Sequence, residues 1–346
     1  MGVKNITINR IGAAGLTSSD WRLLSDSVLC AAQQRPMFKM GAKDEKEKVM
    51  SVNLGKTGVW YFTDAMSAAD AAAFAQHVES LGYGALWIPE TIGRNSLVHA
   101  AWLLANTTRL VVATGIASIY NRDAGAMMAA AHTLVEQSEG RFLLGLGVSH
   151  QPLVEGVRGH QYGKPVSTMR EYLARMKATP YQSIPAENPP EMVLAALGPN
   201  MLALSRNDAD GAHPYFTTPE HTRLAREVLG PDKLLCVEQK VVLETDPAVA
   251  RQAARQSAAM YLGLENYRNN WKRLGFSDED LEGGGSDAFI DATFAWGSVD
   301  QIRERVEEHL SAGASHVCMQ PVSSAGMGVL DNNALEALSP AKSAAA

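Results

Sequence analysis

The stretch GRFLLGLGVSH, residues 140–150, admits two readings, and the fold turns on which is right. Apolar residues run into Gly145-Leu146-Gly147, and the run ends at Ser149-His150. A dinucleotide-binding fingerprint needs G-x-G-x-x-G opening a helix, with an acidic residue about 20 positions further on. Here His150 stands where the third glycine belongs, and Pro152 follows at once. No long helical pattern starts until after Pro165. The stretch therefore reads as a buried strand ending in a histidine. Its glycines let backbone and a flat ligand come close.

Seven further apolar, β-type runs flank it, at 57–62, 85–89, 109–119, 191–197, 211–216, 234–243 and 316–321. The run at 211–216 is the weakest. Helical spacing fills the gaps at 67–81, near 97–106, and at 124–138, 166–178, 200–207 and 219–229. The tract 247–313 reads as mostly helical, interrupted at 280–287 by Gly283-Gly284-Gly285. Eight strands alternating with helices predict an α/β protein, a (β/α)8 TIM barrel. Near-continuous apolar strands fit a parallel sheet covered on both faces. A doubly wound open sheet is the competitor, disfavoured by the strand count and by the lack of a dividing linker.

Residues 1–49 read differently, with short apolar patches, no sustained period, and the charge run Lys43-Asp44-Glu45-Lys46-Glu47-Lys48 ahead of Met50. They are expected to form an N-terminal extension, disordered or loosely helical, or to lie upstream of a natural start at Met50. The barrel is expected over 50–340, with 341–346 a flexible tail.

Net charge is −6. The first 49 residues hold eight Lys/Arg against five Asp/Glu, leaving 23 against 32 for the body. A body that acidic argues against nucleic acid as the main partner, so a small molecule is expected. No segment reaches the roughly 18 uninterrupted apolar residues of a membrane span, and no basic-then-apolar signal sequence opens the chain. Cys30, Cys236 and Cys318 match no metal or disulfide spacing and read as small buried hydrophobes in a reducing cytoplasm. The nine histidines include no H-x-H or H-E-x-x-H, so no metal centre is expected. G-x-S-x-G, the P-loop and C-x-x-C are also absent.

Barrel chemistry sits where strands end, on the C-terminal face. His150 follows the fourth strand, and its ordinary pKa suits proton exchange near neutrality. A loop histidine bonded to backbone is the plain alternative. Glu90 follows the second strand, whose end Pro89 marks, and reads as a catalytic carboxylate or a solvated loop residue. Asp64 after the first strand is a weaker candidate. The third strand ends in Gly115-Ile116-Ala117-Ser118, small enough for a planar ring to lie against backbone. The fifth ends in Ala196-Leu197-Gly198-Pro199 at a helix start, where free N–H groups attract anions. Thr217 and Thr218 after the sixth could add hydroxyls. Lys240, inside the seventh, is unusual, but nothing else supports a Schiff base.

With these residues assembled, the chain resembles the luciferase-like monooxygenase superfamily, within it a mycobacterial-type subgroup of coenzyme F420-dependent oxidoreductases. The carrying blocks are GRFLLGLGVSHQPLVEGVRGHQYGKPVSTMREYL (140–173), TGIASIYNRDAGAMMAAA (114–131) and MVLAALGPNMLAL (192–204), and the similarity spans about residues 57–325. The extension has no counterpart in the pattern. The resemblance implies a TIM barrel with an insertion after a late strand. It implies F420, with FMN as the alternative, at the barrel mouth, and hydride transfer at the deazaflavin C5 to or from a small organic substrate. It places a bulge, often with a non-prolyl cis peptide, at Gly115-Ile116-Ala117 behind the cofactor ring. The phosphate falls on Ala196-Leu197-Gly198-Pro199 with help from Thr217, and His150 holds the place of a catalytic acid; Ser149-His150 read as facing the substrate, with Ser149 also expected among the cofactor-binding residues. Some sugar-phosphate dehydrogenases of the family carry a carboxylate there, and others carry an Asp-His pair where this chain has Pro89-Glu90. That departure weakens the case for a sugar phosphate. An acidic cofactor tail would want a basic rim, for which Arg94, Arg122 and Arg158 are candidates. An FMN-dependent two-component monooxygenase and a non-catalytic flavin or deazaflavin carrier are the competing functions. Members are often dimers, so the resemblance also admits a homodimer.

Overall fold

In the computed structural model the described residues are 52–326 and 328–343. The expected extension over 1–49, with Cys30, lies outside them, as do residues 344–346. Eight strands run parallel in the order β1 (Thr57–Trp60), β2 (Ala85–Ile88), β3 (Val111–Thr114), β5 (Phe142–Gly147), β6 (Met192–Leu194), β7 (Gly211–Ala212), β8 (Leu234–Val242) and β10 (His316–Pro321). β10 pairs with β1 on one side (Thr57 opposite Val317) and with β8 on the other (His316 opposite Cys236), which closes the sheet. Closure removes the doubly wound alternative and leaves a TIM barrel. The weakest run contributes only the two residues of β7.

Helices alternate with the strands on the outside: α1 (Ala68–Ser80), α2 (Ser96–Ala105), α3 (Ala124–Gln137), α4 (Pro165–Ala178), α5 (Pro199–Asp208) and α6 (Pro219–Leu229). Several starts are fixed by short polar caps, as expected for orphan N–H groups in a first turn. Ser67 accepts from the Asp70 N–H, Asn95 from Leu97 and Val98, and Asp123 from Ala126. Two apolar layers result. Trp60, Trp87, Ala113, Leu143, Val193, Cys236 and Cys318 fill the barrel interior, and a larger shell lies between strands and helices. Cys236 and Cys318 are both buried thiols.

After β8 the chain leaves the simple alternation. α7 (Pro247–Leu262), α8 (Glu265–Arg273), α9 (Asp287–Thr293) and β9 (Phe294–Trp296) precede α10 (Val299–Ser311), and α11 (Asn332–Ala337) and α12 (Pro340–Ser343) follow β10. This insertion has its own core around Phe216, Trp271, Phe289 and Phe294. β9 adds to the edge of β8, Lys240 opposite Phe294. It lies inside the tract that reads as mostly helical, because three residues are too few to display a strand period. Among the described residues no helix is long and apolar enough to cross a membrane.

The third strand does not run continuously over 109–119. Ala113 pairs with Leu143, but Ala117, in β4 (Ala117–Ser118), pairs with Leu146. Four residues of one strand therefore span three of the next, a bulge, and the Gly115–Ile116 peptide within it is cis. The opposing strand accommodates it with the glycines of the 140–150 stretch. A Cβ on Gly145 would stand 1.9 Å from the Thr114 carbonyl oxygen, and one on Gly147 2.5 Å from Ile116 Cδ1. These glycines thus make room first for the neighbouring strand, and only through it for a ligand. Replacing Gly145 by Ala is expected to cost about 1–3 kcal/mol, as overpacking in a filled core does. A lowered urea midpoint checks this.

Candidate active site

The strand ends surround a cavity of about 530 Å³. Trp60 and Phe62 enter from the first strand and its exit, Pro89, Glu90 and Thr91 from the second, and Gly115 and Ile116 from the bulge. Gly147, Val148, Ser149 and His150 follow from the fourth strand, then Ala195 through Met201, then His213 and Tyr215. Of the residues singled out from sequence, His150, Glu90, Gly115, Ile116, Ser149, Ala196, Leu197, Gly198 and Pro199 all meet here. Ala117 and Thr217 do not line the space. Ala117 packs in the shell between strands and helices, and Thr217 is fully buried.

His150 sits after Ser149, whose positive φ of 57° turns the chain out of the strand. Its own carbonyl accepts the N–H groups of Leu153 and Val154, which starts a short π-helical stretch, Pro152–Val157. The ring lies 5.8 Å from that of Tyr267. Burial pulls the imidazole below its ordinary pKa, and a side-chain hydrogen bond with Asn266 partly offsets this. The ring is neutral at neutral pH.

Glu90 has a different setting. Its carboxylate is buried and accepts the N–H groups of Ser96 at 3.3 Å and Ser118 at 2.9 Å. Both guanidinium nitrogens of Arg122 donate to it, Nη1 at 3.1 Å. Burial alone would raise its pKa, but Arg122 and the two backbone donors hold it below the usual carboxylate range. It is an ionised anchor joining the ends of the second and third strands to the start of α2. Asp64 anchors too, accepting the Arg94 N–H at 2.7 Å. The candidate basic rim is engaged in the same way: Arg94 donates to the Met66 carbonyl, Arg122 to Glu90, and Arg158 to the Thr91 carbonyl.

At one end of the cavity α5 begins, with Gly198 as its cap and Pro199 as its first residue. The Arg273 guanidinium lies 3.4 Å from the point where a Gly198 Cβ would stand, and donates to Asn270 Oδ1 at 3.3 Å. Two further donors, Thr217 Oγ1 and Asn270 Nδ2, are buried without a hydrogen-bond partner among the described residues, though neither residue lines the cavity. A helix N-terminus and a guanidinium are the chemistry that holds a phosphate. Under the bulge, Trp60 Nε1 and His213 Nε2 are also unpartnered, 2.5 and 3.2 Å from the point of a Gly115 Cβ. His213 Nδ1 bonds the Cys236 carbonyl at 2.8 Å and is therefore its protonated nitrogen, leaving Nε2 as an acceptor.

The remaining wall comes from the insertion: Tyr261 from α7, and Asn266, Tyr267, Asn269 and Arg273 from α8. None of these stood out in the sequence. Asn266, Asn269 and Arg273 recur at i, i+3 and i+7, one polar face of a helix, which is a signal, but that spacing is equally that of a solvated surface.

A bulged third strand behind a phosphate-friendly mouth narrows the field of TIM barrels. The family described as luciferase-like monooxygenase matches residues 48–316. The chain belongs to that family. It is 24% identical over 322 residues, 75% of this chain and 91% of the other, to a Mycobacterium tuberculosis protein provisionally assigned as a coenzyme F420-dependent oxidoreductase. An F420-dependent secondary alcohol dehydrogenase, solved with an F420–acetone adduct, shares the fold at TM-score 0.66 and 12% identity, over 84% of this chain and 98% of that one. So does the FMN-bound oxygenating constituent of 3,6-diketocamphane monooxygenase from Pseudomonas putida, at 0.60 and 17%, over 82% and 96%.

Glu90→Gln would leave the Arg122 cation buried and unpaired. An expected loss of about 3–5 kcal/mol follows, read by chemical denaturation at pH 7. Because the folded pKa of Glu90 is depressed, its contribution is present above the ordinary carboxylate value and is lost as pH falls through the folded one. The gap between wild type and variant should therefore close in acid.

Proposed function

We propose that the chain is an F420-dependent oxidoreductase that moves a hydride between the deazaflavin C5 and a small, uncharged organic substrate. The observation that carries this is one cavity lined by the bulge at Gly115–Ile116 and, at its other end, by the start of α5 beside the Arg273 guanidinium. A planar redox ring bearing a phosphate fits both. The bound deazaflavin would supply the hydride chemistry.

The chain's own residues do the rest. Gly115 and Ile116 back the ring. Ala196, Leu197, Gly198 and Pro199 carry the phosphate end, with Thr217 behind. Ser149 turns His150 toward the substrate. His150, its charged form disfavoured by burial, lies against the reacting oxygen and polarises it through a ring N–H. Glu90 keeps the second and third strand ends in register rather than moving a proton. The substrate side is aromatic and lacks an unpaired charge, with Trp60, Phe62, Tyr162 and Tyr267 among its walls. That favours ketones, enones and imines over sugar phosphates.

An FMN-dependent monooxygenase is the second reading, since ring wall and phosphate end would suit FMN as well and the diketocamphane enzyme binds FMN in this fold. Fluorescence titration with each cofactor separates them: F420 is expected to bind at least about tenfold, or 1.4 kcal/mol, tighter. Tight FMN binding with none for F420 would overturn the proposal. Arg273→Ala should weaken cofactor binding about 10–100-fold, since a hydrogen bond to a charged group contributes about 1.5–3 kcal/mol. His150→Ala should bind F420 normally and lower turnover about 10²–10³-fold, the loss expected when one donor to a developing oxyanion is removed. Unchanged turnover would make His150 a shaping residue only.

A further inference from the structure

Resting on the F420 reading, we propose that Tyr261 is the proton donor to the substrate's oxygen, recharged through Tyr215 by the buried Lys240–Glu238 pair. The barrel interior of this fold class is ordinarily filled with branched apolar residues. Here Glu238 and Lys240, on alternate positions of β8, are both wholly buried and 3.2 Å apart. Burying such a pair costs desolvation that its mutual attraction often fails to repay. A purely structural site would do as well with apolar side chains.

The pair is wired to the cavity. Lys240 Nζ donates to Tyr215 Oη at 2.7 Å and to Gln320 Oε1 at 2.8 Å, and strand register sets Gln320 opposite Lys240. The Tyr215 hydroxyl donates to Gln320 Oε1 at 2.8 Å and lies 2.7 Å from that of Tyr261, so passing a proton on requires its O–H to swing from Gln320 to Tyr261; both tyrosines line the cavity. The Tyr261 and Tyr267 rings are 5.2 Å apart, and Tyr267 in turn borders His150. The relay and His150 thus face one part of the cavity. A neutral His150 can polarise a carbonyl but holds no surplus proton, and the network can supply one.

The step balances as follows. The substrate's carbonyl carbon gains a hydride, two electrons and a proton's mass, from the reduced deazaflavin, and the C=O π bond breaks. The oxygen takes the Tyr261 proton. Tyr261 takes one from Tyr215, and Tyr215 takes one from Lys240, which is left as a neutral amine beside Glu238. Solvent restores that proton when product leaves, and alcohol oxidation runs the same chain backwards. The groups facing Lys240 are Glu238 on its own strand, Tyr215 and Phe216 beyond β7, Tyr261 on α7, and Cys318 and Gln320 on β10. Burial lowers the ammonium's pKa, with Glu238 opposing, to about 8, within reach of such a cycle. Burial also raises that of Glu238.

The test uses Tyr261→Phe and Lys240→Met in the full chain, with F420 binding by fluorescence, single-turnover oxidation of F420H2 by a ketone against pH, and the ¹⁵N shift of Lys240 Nζ in cofactor-free protein. The wild-type rate is expected to fall as pH rises through about 8, because the protonated relay is the active form. Both variants should bind F420 within about threefold of wild type. Both should turn over at least about 100-fold slower and lose that pH limb. Nζ should titrate near 8, and Tyr215→Phe should move it. Variants that fold, bind F420 and keep the wild-type rate and profile would overturn the proposal, as would an Nζ titrating at the ordinary lysine value. Should Lys240→Met not fold, Tyr261→Phe alone decides. If wild type binds no F420, the functional reading fails and the Nζ titration judges the relay.

Discussion

One misfit between neighbouring strands organises the mouth of this barrel. Four residues of the third strand must lie along three of the fourth, and the surplus is pushed out as Gly115–Ile116. Only a strand without side chains at the facing positions permits it. Gly145 lets the Thr114 carbonyl lie where a Cβ would be. The same threonine fastens the junction, its hydroxyl exchanging hydrogen bonds with the Gly145 N–H and C=O at 2.8 Å each. Beyond the bulge the chain regains register at Ser118, whose N–H is held by Glu90. The fingerprint-like glycines and the buried carboxylate are therefore parts of one constraint. Neither would be explained by the other's absence of chemistry.

The interior below the mouth shows how the balance of desolvation and partner charge sorts its titratable groups. His213 and His316 lie wholly buried, each with a ring nitrogen on a carbonyl, Cys236 and Gly55 respectively, and burial holds both down to about 4. With no carboxylate beside them, desolvation wins and they stay neutral, Trp87 stacking on one and donating to the other. Glu90 goes the other way, because a bidentate guanidinium and two N–H groups outweigh its burial. Lys240 and Glu238 fall between, each pulled toward neutrality by burial and toward charge by the other. A proton is most movable in such a pair, where neither effect dominates.

Much of this was legible in the sequence, for physical reasons. Parallel strands buried on both faces read as unbroken apolar runs, so the barrel strands and their ends stood out, and with them His150, Glu90 and the glycine pair. The resemblance located the bulge and the insertion after a late strand. Burial alone could not tell a catalytic carboxylate from an anchoring one: the Glu90 role rests on Arg122, 32 positions away. Lys240 looked odd in a strand, yet its partners come from β8, β10, α7 and the loop after β7, and no local spacing joins them. Tyr261 and Tyr267 were invisible because an aromatic at helical spacing looks like core whether it faces a core or a cavity.

The two halves of the site come from different kinds of structure, and that division bears on what each can vary. One wall is backbone and small side chains at strand ends, where a Cβ on Gly145 or Gly147 would meet the neighbouring strand, so its shape is fixed by the closure of the barrel itself. The facing wall is built from Tyr261, Asn266, Tyr267 and Asn269 on helices of the insertion, packed on a core of their own around Phe216 and Trp271. Changes there need not disturb strand register. Arg273 joins the two walls, leaving the insertion to lie beside Gly198 at the start of α5.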